Sequence, residues 1–337
     1  MDGLKVGINC RSMGTRCGIN TYSMRVKKYL EEMTQDKNGN DVFNEAIIFA
    51  EDLKDELKNP LDVISVQYEP GLYQNQLDFT QIFDLFKQPL VITAHHMGYL
   101  QNFYGGCDGL IVHDERQFAN TPKPWDYKVI PHPALVFPEQ DKKRMRKKWK
   151  LPEDKKIIGT MGFITGTGKK LHKTVQAILE DIKDDEFLYL MTSMWKGGDM
   201  GRKAKIMEAV KKTGKAKNFR LDTDFVFADK LNEKMQACDL LYSWCAVGPN
   251  DEGSQSGSAA DSYGARRKLI VKKSAHFSFI GEQDKVLVGS EKEEDFAKDV
   301  LNALRTEDLE DVQDPTWLSW QEQIKEYYDY FLEVLGE

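Results

Sequence analysis

Four of the six histidines fall within one short stretch of the chain: His95, His96, His113 and His132. His95 follows the apolar run Leu90–Ala94, His113 closes the run that starts at Gly109, and His132 follows Val129-Ile130-Pro131. An imidazole near neutrality can move a proton, hold a metal ion or contact a polar ligand. No local spacing of histidine, cysteine and carboxylate has the pattern of a metal site. Each histidine alone reads equally well as a packed structural residue. As a group they point to a ligand crevice, because ligands of open parallel sheets sit at the carboxyl ends of strands.

A second candidate is the glycine-rich stretch Gly162-Phe163-Ile164-Thr165-Gly166-Thr167-Gly168-Lys169-Lys170. It is not a P-loop. That motif needs G-x-x-x-x-G-K-[ST], and here Gly162 is one residue out of register while Lys170 stands where the metal-binding hydroxyl belongs. A glycine-rich turn between strand and helix still presents backbone N–H groups and a positive helix end to phosphate. No G-x-G-x-x-G follows the first strand, which leaves a nicotinamide cofactor unsupported. No G-x-S-x-G elbow is present. The five cysteines (Cys10, Cys17, Cys107, Cys238, Cys245) form no C-x-x-C pair. They read as small buried hydrophobes in a reducing compartment.

The elements that must position these residues follow from periodicity. Leu4–Asn9, Ala46–Ala50, Asp62–Gln67, Leu90–Ala94, Gly109–His113 and Lys128–Ile130 read as strands. Most are short continuous apolar runs, as in strands covered on both faces of a parallel sheet. Tyr22, Val26, Tyr29, Leu30 and Met33 mark a helix after the first strand. Prolines 133, 138 and 152 bracket a boundary near residues 133–155. Inside it, seven of the nine residues Lys142–Lys150 are basic, a pattern that reads first as a solvated helix face. Its functional reading is contact with an anionic membrane face or nucleic acid, and the basic stretch Arg202–Arg220 reads the same way. The strand pattern then resumes at Ile157–Met161, Phe187–Met191, Asp239–Trp244 and Leu269–Val271, with helices over Leu171–Asp181, Arg202–Thr213, Asp229–Ala237 and Glu294–Arg305. An aromatic-rich amphipathic helix follows Pro315. The fold class is therefore α/β.

Composition agrees. In 337 residues there are 47 Lys+Arg against 54 Asp+Glu, a net charge of −7, with 41% hydrophobic and 30% charged residues. This length suits about two domains. No apolar run approaches the ~20 residues that span a bilayer. The first residues have no signal-peptide layout, so a cytoplasmic protein is expected. The acidic balance argues against a dedicated nucleic-acid binder.

Several segments, taken in order, resemble one family. Gly18-Ile19-Asn20-Thr21-Tyr22 is similar to a glycine-rich loop and helix start. Asp62–Tyr73, with Gln67 and Glu69, resembles a "D-hydrophobic-x-x-Q-x-E-x-G" segment. Val91–His95 resembles "V-V-T-x-H", and Val129–Pro133 resembles "V-I-P-H-G" with Pro133 for Gly. Gly162-Phe163-Ile164, Lys169 and Gln176-Ala177-Ile178 resemble "G-F-I…K-G…E-A-I". Ser256–Ile270 is similar to "S-G-x-x-x-[DE]-A-x-x-x-G-[RK]-P-V-I", with Asp261 as the acidic residue and Arg266 and Lys268 for Gly and Pro. The family's second carboxylate, eight residues earlier, falls on Gly253, with Glu252 beside it. The chain thus resembles the retaining GT-B-fold glycosyltransferases, family 4-like and nucleotide-sugar dependent.

The resemblance implies two Rossmann-like parallel-sheet domains facing a central cleft. Residues 1–140 would form the acceptor-side domain and 141–312 the donor domain, with a helix in 313–337 crossing back to the first. It implies sugar transfer from a UDP- or GDP-sugar to a hydroxyl acceptor with retention, without metal or cofactor. The acceptor would be a glycan, a lipid-linked sugar or a small molecule. Alternatives are a hydroxylated nucleic-acid base as acceptor, a non-catalytic nucleotide-sugar-binding protein, or a sugar-nucleotide epimerase. His95, Glu69 and Lys169 are the expected catalytic residues: sugar contact, acceptor-side carboxylate and leaving-group cation. Gly18, Gly162, Lys169, Ser256, Gly257, Asp261 and Arg266 are the expected donor-binding residues.

Overall fold

The structure is a computed structural model that describes residues 3–14, 17–50, 61–72, 86–97, 100, 106–118, 126–163, 171–193, 200–226, 228–245, 254–283, 285–312 and 314–336. The chain divides into two units. The first holds Met1–His132, Glu252–Gln255 and Trp320–Glu337; the second holds Pro133–Asp251 and Ser256–Ser319.

In the first unit six parallel strands lie in the order β2-β1-β3-β4-β5-β6. They are β1 (Lys5–Asn9), β2 (Glu45–Phe49), β3 (Val63–Tyr68), β4 (Leu90–Ala94), β5 (Gly109–Val112) and β6 (Lys128–Val129). Every residue of β3, β4 and β5 is buried, which is why these strands read as unbroken apolar runs. Helix α1 (Gly18–Glu32) follows β1, and Cys17 caps it by accepting the Asn20 N–H. The chain's last long helix, Trp320–Leu335, belongs to this unit. Tyr29 stacks on Trp320 with ring centroids 5.6 Å apart. The Leu110 N–H donates to the Tyr330 hydroxyl at 3.0 Å. A Cβ at Gly109 would sit 2.8 Å from Val334, so the helix lies hard against β5.

In the second unit the order is β12-β11-β10-β7-β8-β9, again all parallel. It opens with α2 (Lys142–Trp149). Then come β7 (Lys156–Phe163), α3 (Leu171–Asp181), β8 (Glu186–Ser193), α4 (Met200–Thr213), β9 (Phe219–Asp222), α5 (Ala228–Gln236) and β10 (Leu240–Ser243). It closes with α6 (Gly257–Gly264), β11 (Lys268–Lys272), α7 (Ser278–Gly281), β12 (Val286–Gly289) and α8 (Glu293–Arg305), which leaves the last helix as α9 (Trp320–Leu335). Strand alternation splits the core between two faces. Ile157, Phe187 and Leu241 pack with Met145 and Met235 on one side. Ile158, Leu188 and Leu240 pack with Val175, Ile178 and Phe296 on the other. Strands β9 and β12, not expected from periodicity, are the two edges of this sheet. All four residues of β9 are only half-buried, so no apolar run marks it.

The basic segment Lys142–Lys150 is a helix, but not a uniformly solvated one. Asp141 caps α2 through the Arg144 N–H, and Lys150 ends it in the left-handed conformation at φ 53°. Arg146 is buried, donating to the carbonyls of Ala237 and Lys155 and to the Asp239 carboxylate. Lys142 also pairs with Asp239, at 2.9 Å, and Lys148 with Glu233, at 2.7 Å. Three of the seven basic side chains thus hold the helix to its own unit.

Candidate functional site

In the second unit, β7-α3-β8-α4-β9 winds one way from β7, and β10-α6-β11 starts on its other side. The sheet therefore has its topological switch point between β7 and β10, where such folds leave a crevice at the strand ends. A small crevice lies there. Its walls come from Thr160, Met161 and Gly162 of β7, Thr192 of β8, and Ser243 and Trp244 at the end of β10. Leu171 of α3 and Ser258 of α6 complete it.

Gly162 has φ 132°, a conformation that side-chain-bearing residues rarely adopt. Ser256 caps α6 by accepting the Ala259 N–H at 3.4 Å, and its hydroxyl lies 3.0 Å from that of Ser258. The first turn of α6, with Gly257 and Ser258, thus brings a positive helix end to the pocket. Two further atoms stand out. Trp244 Nε1 and Thr192 Oγ1 are buried and have no hydrogen-bond partner among the described residues. Such groups cost stability unless a ligand or water satisfies them. Neither residue was singled out from sequence, since isolated Trp and Thr at strand ends carry no motif. One strand over, the Lys272 ammonium donates to the Cys245 carbonyl at 3.0 Å and sits 4.8 Å from the Trp244 ring centre.

The expected donor-binding residues do not all gather here. Gly162 lines the pocket, and Ser256 and Gly257 adjoin Ser258 in its wall. Lys169 lies outside the described residues. Asp261 is buried one turn along α6, where its Oδ1 accepts the Leu135 N–H at 3.0 Å. It therefore anchors the segment that follows Pro133. Arg266 follows the far end of α6, with φ 57°. At about 1.5 Å per residue, the eight-residue helix separates it from Ser256 by roughly 12 Å. Arg267 is buried on the same side, donating to Gln236 and Gln140 carbonyls and to Glu139.

In the first unit the strand ends carry the histidines. His95 directly follows β4, and its N–H donates to the Tyr68 carbonyl at 2.9 Å. Glu69 therefore sits at the neighbouring strand end, where its Oε2 accepts the Gly71 N–H at 2.9 Å. Gly18 is exposed at the start of α1 with open space around its Cα. His95 Nε2 lies 3.0 Å from the Gln67 amide, and its Nδ1 lies 3.3 Å from His113 Nε2. His113 Nδ1 is 2.8 Å from the Ile130 carbonyl. The rings of His95, His113 and His132 surround Tyr22, with centroids 4.6, 5.5 and 5.0 Å from its ring. Burial, reinforced by the neighbouring imidazoles, pushes His95 well below its ordinary pKa and His113 down to about 3. Both rings are neutral at pH 7. The sequence-predicted grouping of His95, His113 and His132 is thus a real cluster, but a packed one. Among the described residues no group of histidine, cysteine or carboxylate is arranged to hold a metal ion.

Two Rossmann-like parallel sheets, with the last helix returning to the first unit, define the GT-B fold. No family model matches the sequence, and no curated protein does. Solved structures do. A glycosyltransferase from Rickettsia africae is similar over 100% of both chains, with a TM-score of 0.73 at 10% identity. Anabaena HepE, solved with UDP and glucose, matches over 99% of this chain and 97% of its own, with a TM-score of 0.64 at 10% identity. WaaG, a glycosyltransferase of lipopolysaccharide biosynthesis, covers 97% and 95%, with a TM-score of 0.60 at 13% identity. Among the described residues no helix is long and apolar enough to cross a membrane.

Proposed function

We propose that this protein is a glycosyltransferase that moves a sugar from a nucleotide-sugar donor, UDP- or GDP-linked, to a hydroxyl acceptor. One observation carries the reading. The switch-point pocket of the second unit combines a positive-φ glycine, a helix N-terminus capped by Ser256, and two buried polar atoms without partners among the described residues. That is a site built for a polar, anionic ligand. The likeness to HepE, solved with UDP, supports a uridine nucleotide among the candidates.

In this reading the leaving diphosphate, with about two negative charges, is stabilised by backbone N–H groups of Gly257 and Ser258 and by the Lys169 ammonium. No metal is invoked. Trp244 Nε1 and Thr192 Oγ1 supply hydrogen bonds to the donor. In the first unit, Glu69 is the proposed acceptor-side carboxylate and His95 the proposed sugar contact. No protein nucleophile is assigned, and transfer is read as retaining. Arg266, at the far end of α6, drops out of the proposed donor set. The ion pairs of Lys142, Arg146 and Lys148 weigh against α2 as a nucleic-acid face.

A second reading, a nucleotide-sugar-binding protein without transfer, is favoured by one observation: the Asp261 carboxylate is engaged by Leu135. Thermal unfolding with UDP, GDP and their sugar conjugates tests the first claim. A ligand at 100 times its Kd adds about 2.7 kcal/mol to the folded state. No shift with any nucleotide rejects the donor site. A shift without transfer or slow hydrolysis of the bound sugar selects the second reading.

A further inference from the structure

The cluster around His95 contains a conflict of protons, and its resolution assigns new roles to Gln67 and His113. A carbonyl only accepts, so His113 Nδ1 must carry a proton toward Ile130, 2.8 Å away. A neutral His113 then offers only a lone pair at Nε2. That lone pair faces His95 Nδ1 at 3.3 Å. If the Gln67 oxygen faces His95 Nε2, a neutral His95 carries its proton there and has a lone pair at Nδ1. Two lone pairs would then oppose each other across 3.3 Å, with no room for water between them.

With both imidazole rings oriented so that these contacts are kept, two arrangements remove the clash. In one, an extra proton makes a buried imidazolium, with His132 beside it and Tyr22 packed against all three rings. The nearest carboxylate on β5's side, Asp114, is already paired with Arg116. Asp114 favours a charged His113, but burial and the neighbouring imidazoles oppose the charge more strongly. In the other, the Gln67 amide is turned over. Its oxygen then accepts from the Ser65 hydroxyl at 3.1 Å and from the Thr93 hydroxyl at 3.5 Å, the latter also accepting from the Tyr327 hydroxyl. Its N–H donates to His95 Nε2, His95 Nδ1–H donates to His113 Nε2, and His113 Nδ1–H donates to Ile130. Every group is satisfied with no net charge. Amide orientation is decided by such networks.

We infer that His95 is held as a neutral Nδ1–H imidazole by a one-directional chain from Ser65 and Thr93 through Gln67, His95 and His113 to the Ile130 carbonyl. Gln67 and His113 are its positioning residues. With both ring nitrogens engaged, His95 is not a general base. The ring presents a neutral edge, and any contact with a sugar is made without proton transfer. This last consequence rests on the proposed function; the tautomer does not.

Long-range proton–nitrogen correlation spectra of the full chain, labelled with ¹⁵N-histidine, read the tautomer directly. A His95→Gln variant assigns the ring by the signals it removes. The expected result near pH 7 is a protonated Nδ1 and a bare Nε2 at His95, unchanged as pH falls by one unit. A bare Nδ1, or a doubly protonated ring, overturns the inference. Gln67→Glu replaces the amide with a group that only accepts, and should move the proton to Nε2 or add a second one. An unaltered His95 pattern in that variant also overturns the chain. Should Gln67→Glu fail to fold, the wild-type spectrum alone decides. If no nucleotide sugar is turned over but the tautomer is as stated, the functional reading falls and this inference stands. Where turnover is found, an inflection in kcat/KM that disappears in His95→Gln would contradict the neutral-edge role.

Discussion

The hydroxyls of Tyr22 and Tyr327 meet at 2.5 Å although 305 residues separate them in the chain. Burial, and the second phenol beside it, push the Tyr22 pKa well above its ordinary value, so the pair stays protonated. The contact fastens α9 to α1 inside the first unit. Removing Tyr327 strands the Tyr22 hydroxyl in a buried site, whereas Tyr327 also bonds Thr93. Tyr327→Phe should therefore cost about 1–3 kcal/mol in denaturant unfolding. The double variant with Tyr22→Phe should cost less than the sum of the singles.

Thr192→Val tests the unpartnered hydroxyl in the second unit's pocket. The shapes are nearly the same, and valine suits a strand. Without ligand the variant should be more stable by about 1 kcal/mol, because a buried unsatisfied hydroxyl is removed. With a nucleotide that uses the hydroxyl, the thermal shift should shrink. A loss of stability in the free protein would mean that Thr192 already has its partner.

Arg266 holds φ 57° just past the end of α6, at the position where the resembled motif has glycine. The left-handed conformation costs a side-chain-bearing residue about 1 kcal/mol relative to glycine. Arg266→Gly should raise the melting temperature accordingly. Since Arg266 lies away from the pocket, the nucleotide-induced shift should persist. A lost shift would return Arg266 to the donor set.

Acid should destabilise the protein through its histidines. His113 titrates at about 3 in the folded chain and near 6.5 when unfolded, so the unfolded state binds more protons between those values. His95 is shifted in the same direction. Stability is fully present above about pH 6.5 and falls as pH drops toward 3, by up to about 1.4 kcal/mol per pH unit for each histidine. Urea midpoints at successive pH values measure the slope. His113→Phe, if folded, should flatten it.

Much of the fold was legible because the two sheets bury their central strands completely. Leu90–Ala94 and Leu171–Asp181 fall where periodicity put them, since an apolar run covered on both faces, or an apolar stripe on a helix, leaves a clear pattern. Strand β9 did not show, because its four residues are half exposed and form no apolar run, and β12 offers only three apolar side chains, too short a run to stand out. Gly162, Ser256 and Gly257 were legible as chemistry because a glycine turn and a helix cap depend on local backbone. Asp261 and Arg266 looked equivalent to them in sequence. Nothing local tells that a carboxylate four residues into a helix will meet the N–H of Leu135.

The amino-acid sequence by itself determined the local elements, their α/β alternation, and the clustering of histidines after successive strands. Those are properties of periodicity, backbone preference and short spacing. Tertiary structure decided what each polar group faces. It engaged Arg146 with Asp239, gave both nitrogens of His95 internal neighbours, and left Trp244 Nε1 and Thr192 Oγ1 without partners among the described residues at the β7–β10 crevice. A hydrogen bond depends on atoms within about 3 Å, and residues far apart in the chain reach that distance only when the sheets have formed.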